Sequence, residues 1–235
     1  MLIGLVAIIG LVAGVALDAL IGRLAWPSPD GPPEEERTIT DAPVLAAEAG
    51  ALVVASEGSH WQRRLLVMAV TAGFFALVAI RYDGAMELAI VTAYVCVLLV
   101  CAGTDLISYR VPNVVTYPAI VGAIVVGALM PDADILEVLA GGALTGGVLL
   151  VPSLITGGIG MGMGDVKLAA FVGLAIGFTH AAPAMLIMAI GGGVVATFLL
   201  VTGLRKKGEP IPYAPFISAG GIAVLFWQGA AFVSL

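Results

Sequence analysis

Met86-Glu-Leu-Ala-Ile-Val-Thr-Ala-Tyr-Val-Cys-Val-Leu-Leu-Val-Cys-Ala-Gly-Thr-Asp105-Leu-Ile-Ser-Tyr-Arg-Val-Pro-Asn113 is the stretch that decides the fold. From Met86 to Thr104 its only charge is Glu87. That length matches the run of about 20 apolar residues that a helix needs to cross a bilayer. The pattern recurs along the chain. Of 235 residues, 60% are hydrophobic and 11% charged, with a mean hydropathy of +1.11. This composition excludes an ordinary soluble domain and predicts an all-α polytopic membrane protein. Basic residues form no stripe, and nucleic acid is not an expected partner.

About eight transmembrane helices are expected, near residues 2–22, 65–80, 86–104, 114–130, 135–156, 166–179, 183–204 and 213–234. The first carries no basic residues at its start, so it reads as a retained span and not as a cleaved signal. With the N-terminus outside, the inner loops receive Arg23, Arg37, Arg63, Arg64, Arg110, Lys167, Arg205, Lys206 and Lys207. Only Arg81 is left outside, a strong positive-inside bias. The loop with Asp132, Asp134 and Glu137 then faces out, and His60 and His180 fall in loops on opposite sides. Cys96 and Cys101 are five residues apart, roughly 140° around a helix, which disfavours a disulfide or a shared metal. Between the first two spans lies the one sizeable polar segment. It contains Trp26 to Pro33, the acidic run Glu34 to Glu36, and a stretch at 43–55 expected to form a short helix lying on the membrane surface.

A carboxylate at membrane depth is costly and therefore points to function. Asp105 stands at the end of the third span, and Asp165 stands in Gly160-Met-Gly-Met-Gly-Asp-Val-Lys-Leu168 at the start of the sixth. Both fall at cytoplasmic helix ends, so they can meet. Two carboxyls that share a site cannot both ionise cheaply, so the pair holds one proton. The ionised partner can take a proton from water while the protonated one polarises a carbonyl, which is aspartic-protease chemistry. Gly160, Gly162 and Gly164 lack side chains and let an extended backbone approach. Pro112 fixes a turn after Asp105, and Arg110 and Lys167 are the nearby cations. A single Asp at a helix end is more simply a snorkelling or ion-paired residue. Two of them, each in a Gly- or Pro-marked loop, favour chemistry. Other small-residue runs, at Gly141-Gly142, Gly146-Gly147, Gly173 with Gly177, and Gly191 to Gly193, predict close helix packing. Tyr213, Phe216 and the three tryptophans read as interface anchors.

The motifs Asp105-Leu-Ile-Ser-Tyr-Arg-Val-Pro-Asn113 and Gly162-Met-Gly-Asp-Val-Lys-Leu168 resemble those of the type IV prepilin peptidases, membrane aspartyl proteases. Ile211-Pro-Tyr-Ala-Pro-Phe216 is similar to the segment that opens that family's last helix, and Leu17-Asp-Ala-Leu-Ile-Gly-Arg-Leu24 to the end of its first. The resemblance covers nearly the whole chain. It implies one membrane peptidase domain over 1–235, in the inner (cytoplasmic) membrane. The implied reaction is removal of the basic leader from a prepilin, pseudopilin or related filament-subunit precursor, with the cut after a Gly at the cytoplasmic face. Asp105 and Asp165 would be catalytic, with Gly162, Gly164, Lys167, Arg110, Pro112 and Asn113 holding substrate and no cofactor needed for the cut. Members that also methylate carry Cys-x-x-Cys pairs for zinc in the first cytoplasmic loop. Residues 23–64 hold no cysteine, so zinc is not expected there and N-methylation is in doubt. Where the family often has Asn this chain has Asp18, expected to pair with Arg23 as a helix-packing residue or else to tune the catalytic pair. The competing class is a proton- or cation-coupled transporter using the two Asp residues. That reading requires carboxylates near the midplane and a repeat between halves.

Overall fold

The computed structural model describes residues 2–25, 60–155, 161–202 and 211–232. Among these, every regular element is helical: α1 Leu2–Ala25, α2 His60–Arg81, α3 Ala85–Ser108, α4 Asn113–Leu129, α5 Ile135–Ile155, α6 Met163–Ile176, α7 Phe178–Val201 and α8 Ala214–Trp227. Five of them, α1, α2, α3, α5 and α7, are long and apolar enough to cross a membrane, and α4 and α8 are shorter apolar helices. The chain is a multi-pass membrane protein. The surface stretch at 43–55, the acidic loop, Gly160 and the basic residues 205–207 lie outside the described residues.

The helices pack by size, not by an amphipathic pattern, since lipid is as apolar as their own side chains. Along the seam between α5 and α6, Gly141 lies directly against the backbone of Gly173 and Gly177, and Gly146 lies against Ala170. Thr145 Oγ1 crosses the same seam to donate to the Ala169 carbonyl at 2.7 Å. This close approach lets α6, of only 14 residues, run through the centre of the bundle with Leu168, Phe171 and Ile176 fully buried. It shares the main apolar core of the bundle with Tyr94, Val95 and Leu98 of α3 and Ile217 and Val224 of α8. Tyr94 and Phe171 meet edge to face at 5.4 Å. α8 is fixed to α3 by Ser218 Oγ, which donates to the Leu98 carbonyl at 3.0 Å.

Several boundaries differ from the hydropathy reading. α3 continues through Ser108, so Asp105 sits inside its last turn and not beyond it. Thr104 and Ser108 fold their hydroxyls onto carbonyls of their own helix, which keeps a polar turn helical. The break between α6 and α7 is the single residue Gly177, at φ 79° and ψ 172°, a region open essentially to glycine. His180 is therefore in the first turn of α7 and not in a loop, with Nδ1 3.1 Å from the Ile176 carbonyl, and His60 begins α2. α8 stops at Trp227. The chain then turns at Gly229 (φ 98°) so that the Ala231 N–H donates to the Ala175 carbonyl at 3.0 Å.

The glycine seam gives a direct stability test. A Cβ at Gly173 would overlap Gly141 O and Thr145 Oγ1, whereas one at Gly147 meets nothing within 4 Å. Gly173→Ala should lower stability in detergent by about 1–3 kcal/mol. Gly147→Ala should be neutral or stabilising by up to about 1 kcal/mol. Equilibrium unfolding in a denaturing detergent compares them, and equal effects would remove the seam from the account.

Candidate active site

Asp105 projects from the last turn of α3 into the protein, with the residue 5% exposed. A carboxyl this buried needs a donor, and it finds one at the start of α8. The Ala214 N–H donates to Asp105 Oδ2 at 2.9 Å, and the Tyr213 amide is also directed at this carboxyl. These are first-turn amides that have no carbonyl partner within their own helix. Pro212 and Pro215 flank them, and Ala214 itself is fully buried, so its small side chain permits the approach.

Asp165 stands in the first turn of α6, whose N-cap is Gly162. The two segments are brought together by Gly164. A Cβ there would come within 2.9 Å of Val111 Cβ, so only glycine lets the start of α6 lie against the turn between α3 and α4. That turn is tight. Tyr109 adopts the left-handed conformation (φ 53°, ψ 36°) and returns its N–H to the Asp105 carbonyl at 2.9 Å. Val111 then leads into Pro112, which caps α4.

The result is a cavity of about 320 Å³, lined by Asp105, Tyr109, Arg110, Val111, Asn113, Gly162, Met163, Gly164, Asp165 and Lys167. Both aspartates therefore face one space at one end of the bundle, close enough to act on each other electrostatically. Asp165 Oδ1 is buried without a hydrogen-bond partner among the described residues, whereas Asp105 is held by amides. Lys167 Nζ donates to Asn113 Oδ1 at 3.0 Å and lies 4.7 Å from the centre of the Tyr117 ring, a cation–π contact. Arg110 is exposed at the rim.

Of the six residues expected to hold substrate, Gly162, Gly164, Lys167, Arg110 and Asn113 line the cavity, and Pro112 does not. Gly164 departs from expectation in one respect: its missing side chain makes room for Val111, not for an incoming backbone. Tyr109, Val111 and Met163 were not singled out as site residues by sequence, although Tyr109 and Val111 sit inside the motif itself. The Tyr213–Phe216 segment also has a different role from the one its aromatic residues suggested. Tyr213 packs on Gly192, and Phe216 on Gly191, with the two rings 6.1 Å apart. The glycine run of α7 is thus a shelf for the segment whose amides hold Asp105. Trp61 and Trp227 are exposed, as interface anchors would be. Asp18 is also buried, but its partner is Arg63 and not Arg23: Arg63 Nε lies 2.9 Å from Asp18 Oδ1 and ties α1 to α2. Arg63 reaches Asp18 across from the neighbouring helix, passing beside Gly22. Asp18 does not line the cavity. The Cys-x-x-Cys zinc site does not fit this chain, because residues 23–64 supply no thiolate.

Residues 92–197, which include both aspartates, match the Type IV leader peptidase family. The chain is 32% identical over 157 residues to the "Prepilin leader peptidase/N-methyltransferase" of Bacillus subtilis (strain 168), covering 65% of this chain and 61% of that one. It is 32% identical over 141 residues to the protein of that name from Xanthomonas campestris pv. campestris, covering 56% and 47%. With that of Burkholderia pseudomallei (strain 1026b) it shares 27% over 169 residues, covering 70% and 55%. This chain thus spans from 47% to 61% of the length of these relatives. No solved structure matches it. The part of the membrane core that carries Asp105 and Asp165, residues 92–197, is thus what this chain shares with the type IV leader peptidase family.

Proposed function

We propose that this chain is an aspartic endopeptidase that removes the leader of prepilin-like precursors at the cytoplasmic face of the inner membrane, acting as one membrane domain. The observation that carries the reading is the pairing of Asp105 and Asp165 in one cavity within the segment that matches the family. A water between the carboxyls loses a proton to one of them as its oxygen attacks the scissile carbonyl. The other carboxyl gives its proton to the carbonyl oxygen. When the tetrahedral intermediate collapses, the protons return, one to the leaving nitrogen and one to the second carboxylate.

The cavity lies at an end of the bundle, between the last turn of α3 and the first turn of α6. That position suits a substrate whose cut bond lies just outside the membrane, before an apolar helix that remains in it. The positive-inside bias puts this end in the cytoplasm. A coupled transporter would instead keep its carboxylates near the midplane on broken helices. The names of the relatives give the substrate class, and the absence of thiolates from residues 23–64 separates the cut from any zinc-dependent loop.

Asp105→Asn and Asp165→Asn should each lower cleavage of a prepilin-like substrate by at least about 10²-fold, the size of one acid–base contribution. The proteins should remain folded and inserted, as judged by unfolding in detergent. The product's mass reports the cut, and substantial cleavage by either variant would remove the dyad.

With the purified full chain, cleavage should also survive strong zinc chelation. The product should keep an unmethylated N-terminus when S-adenosylmethionine is present. Loss of cleavage on chelation, or an added methyl mass, would show that metal or methyl transfer depends on residues other than loop cysteines.

A further inference from the structure

We infer that the two carboxyls have fixed and different roles: Asp105 is held ionised and takes the proton from water, while Asp165 carries the proton given to the substrate carbonyl. This rests on the aspartic peptidase reading above. The difference lies in what surrounds each group. Asp105 Oδ2 accepts the Ala214 N–H at 2.9 Å, and the Tyr213 amide is directed at the same carboxyl. Both belong to the N-terminus of α8, a helix of 14 residues. Amide donors favour the charged form of a carboxyl, and the partial positive charge of a helix N-terminus adds to them.

Asp165 is less well supplied. Its Oδ1 is buried without a partner among the described residues, and one amide, that of Gly162, is directed at the group. An ionised Asp165 would leave a charged oxygen buried and unpaired, a more costly state than a neutral acid in the same place. Asp165 does lie in the first turn of α6, where the helix favours negative charge. Against this, and against the deeper burial of Asp105, stand the Ala214 hydrogen bond to Asp105 and the orphaned oxygen of Asp165. The cations of the cavity do not reverse the balance. Lys167 is occupied by Asn113 and the Tyr117 ring, and Arg110 is exposed to solvent. Tyr109 is the remaining titratable group in the lining.

The step then balances with named atoms. Water oxygen bonds to the carbonyl carbon as its proton passes to Asp105, and the Asp165 proton passes to the carbonyl oxygen. The C–N bond breaks as Asp105 returns its proton to nitrogen and Asp165 regains one from the intermediate's hydroxyl. Ala214 is a positioning residue here, acting through its backbone amide alone.

Two reagents with opposite demands test this on the full chain in lipid nanodiscs at neutral pH, without substrate. A small epoxide is opened by attack of a carboxylate oxygen, giving an ester on the ionised group. A small diazo compound must first be protonated by a carboxylic acid, then loses dinitrogen and forms an ester on the group that gave the proton. Peptide mass spectrometry should place the epoxide product on Asp105 and the diazo product on Asp165. Replacing the Ala214 amide by an ester, through incorporation of the α-hydroxy acid, removes the N–H with little change in shape. It should raise diazo labelling of Asp105 on the order of tenfold, the size of losing one hydrogen bond to a charged group. Reversed sites, both products on one aspartate, no ester on either, or an unchanged pattern in the Ala214 variant would each overturn the assignment. Prepilin cleavage measured in parallel separates the two proposals. The expected labels without cleavage would sink the substrate reading alone, and cleavage with reversed labels would sink this assignment alone.

Discussion

The hydrogen bond from the Ala214 N–H to Asp105 Oδ2 joins residues 109 positions apart, and the arrangement of the central helices depends on it. A carboxyl buried at a helix end must be given donors, and here they come from another helix whose own first amides need acceptors. Each satisfies the other's deficit. The contact fixes the depth at which α8 enters the bundle. Four residues on, Ser218 then reaches the Leu98 carbonyl of α3, and Gly220 and Gly221 come against Ala184 of α7 and Val172 of α6.

Within lipid this positioning cannot come from apolar burial alone, because a leucine gains little by leaving hydrocarbon for protein. Shape and hydrogen bonds must do it. The α5–α6 seam uses glycine against glycine, and Thr145 donates across it. The same logic acts at the site, where Gly164 admits Val111 and so closes the distance between two motifs that lie far apart in sequence.

Much of this was legible in the sequence because hydropathy and spacing are local properties. The apolar helices, the two Asp motifs at helix ends and most of the small-residue contacts follow from counting along the chain, although Gly147 and Gly193 meet nothing within 4 Å. What was missed depends on where backbone and distant partners meet. The hydropathy of α3 ends before its helix does, since Thr104 and Ser108 stay helical by bonding to their own carbonyls. A one-residue turn at Gly177 leaves no polar segment to mark it, so His180 looked like a loop residue. Asp18 had a cation nearby in sequence, but a closer one, Arg63, was 45 residues away. Tyr213 and Phe216 carried an aromatic-belt signature, and only the facing glycines of α7 reveal that they seat the amides of Asp105.

Each end of the bundle keeps a buried oxygen without a partner among the described residues, Asp165 Oδ1 at the cavity and Gln228 Oε1 at the other end. Away from the cavity, Tyr82 Oη donates to the Leu225 carbonyl at 2.7 Å and Arg81 Nε to the Phe226 carbonyl at 3.1 Å, closing the end of α8. Glu137 Oε1 accepts the Thr179 N–H at 3.2 Å at the start of α7. At the cavity end the same chain tolerates departures from ordinary structure. Tyr109 occupies a left-handed conformation that costs a non-glycine residue about 1–2 kcal/mol, and Asp165 keeps a buried oxygen unpaired. Departures of this kind persist only where the surrounding structure holds them, and they gather at functional sites. Here the support is visible: the Tyr109 turn is clamped between its own N–H bond to Asp105 and the packing of Val111 on Gly164. Together with the contacts that close the far end of α8, this clamp lets α3 and α6 present two carboxyls to one cavity.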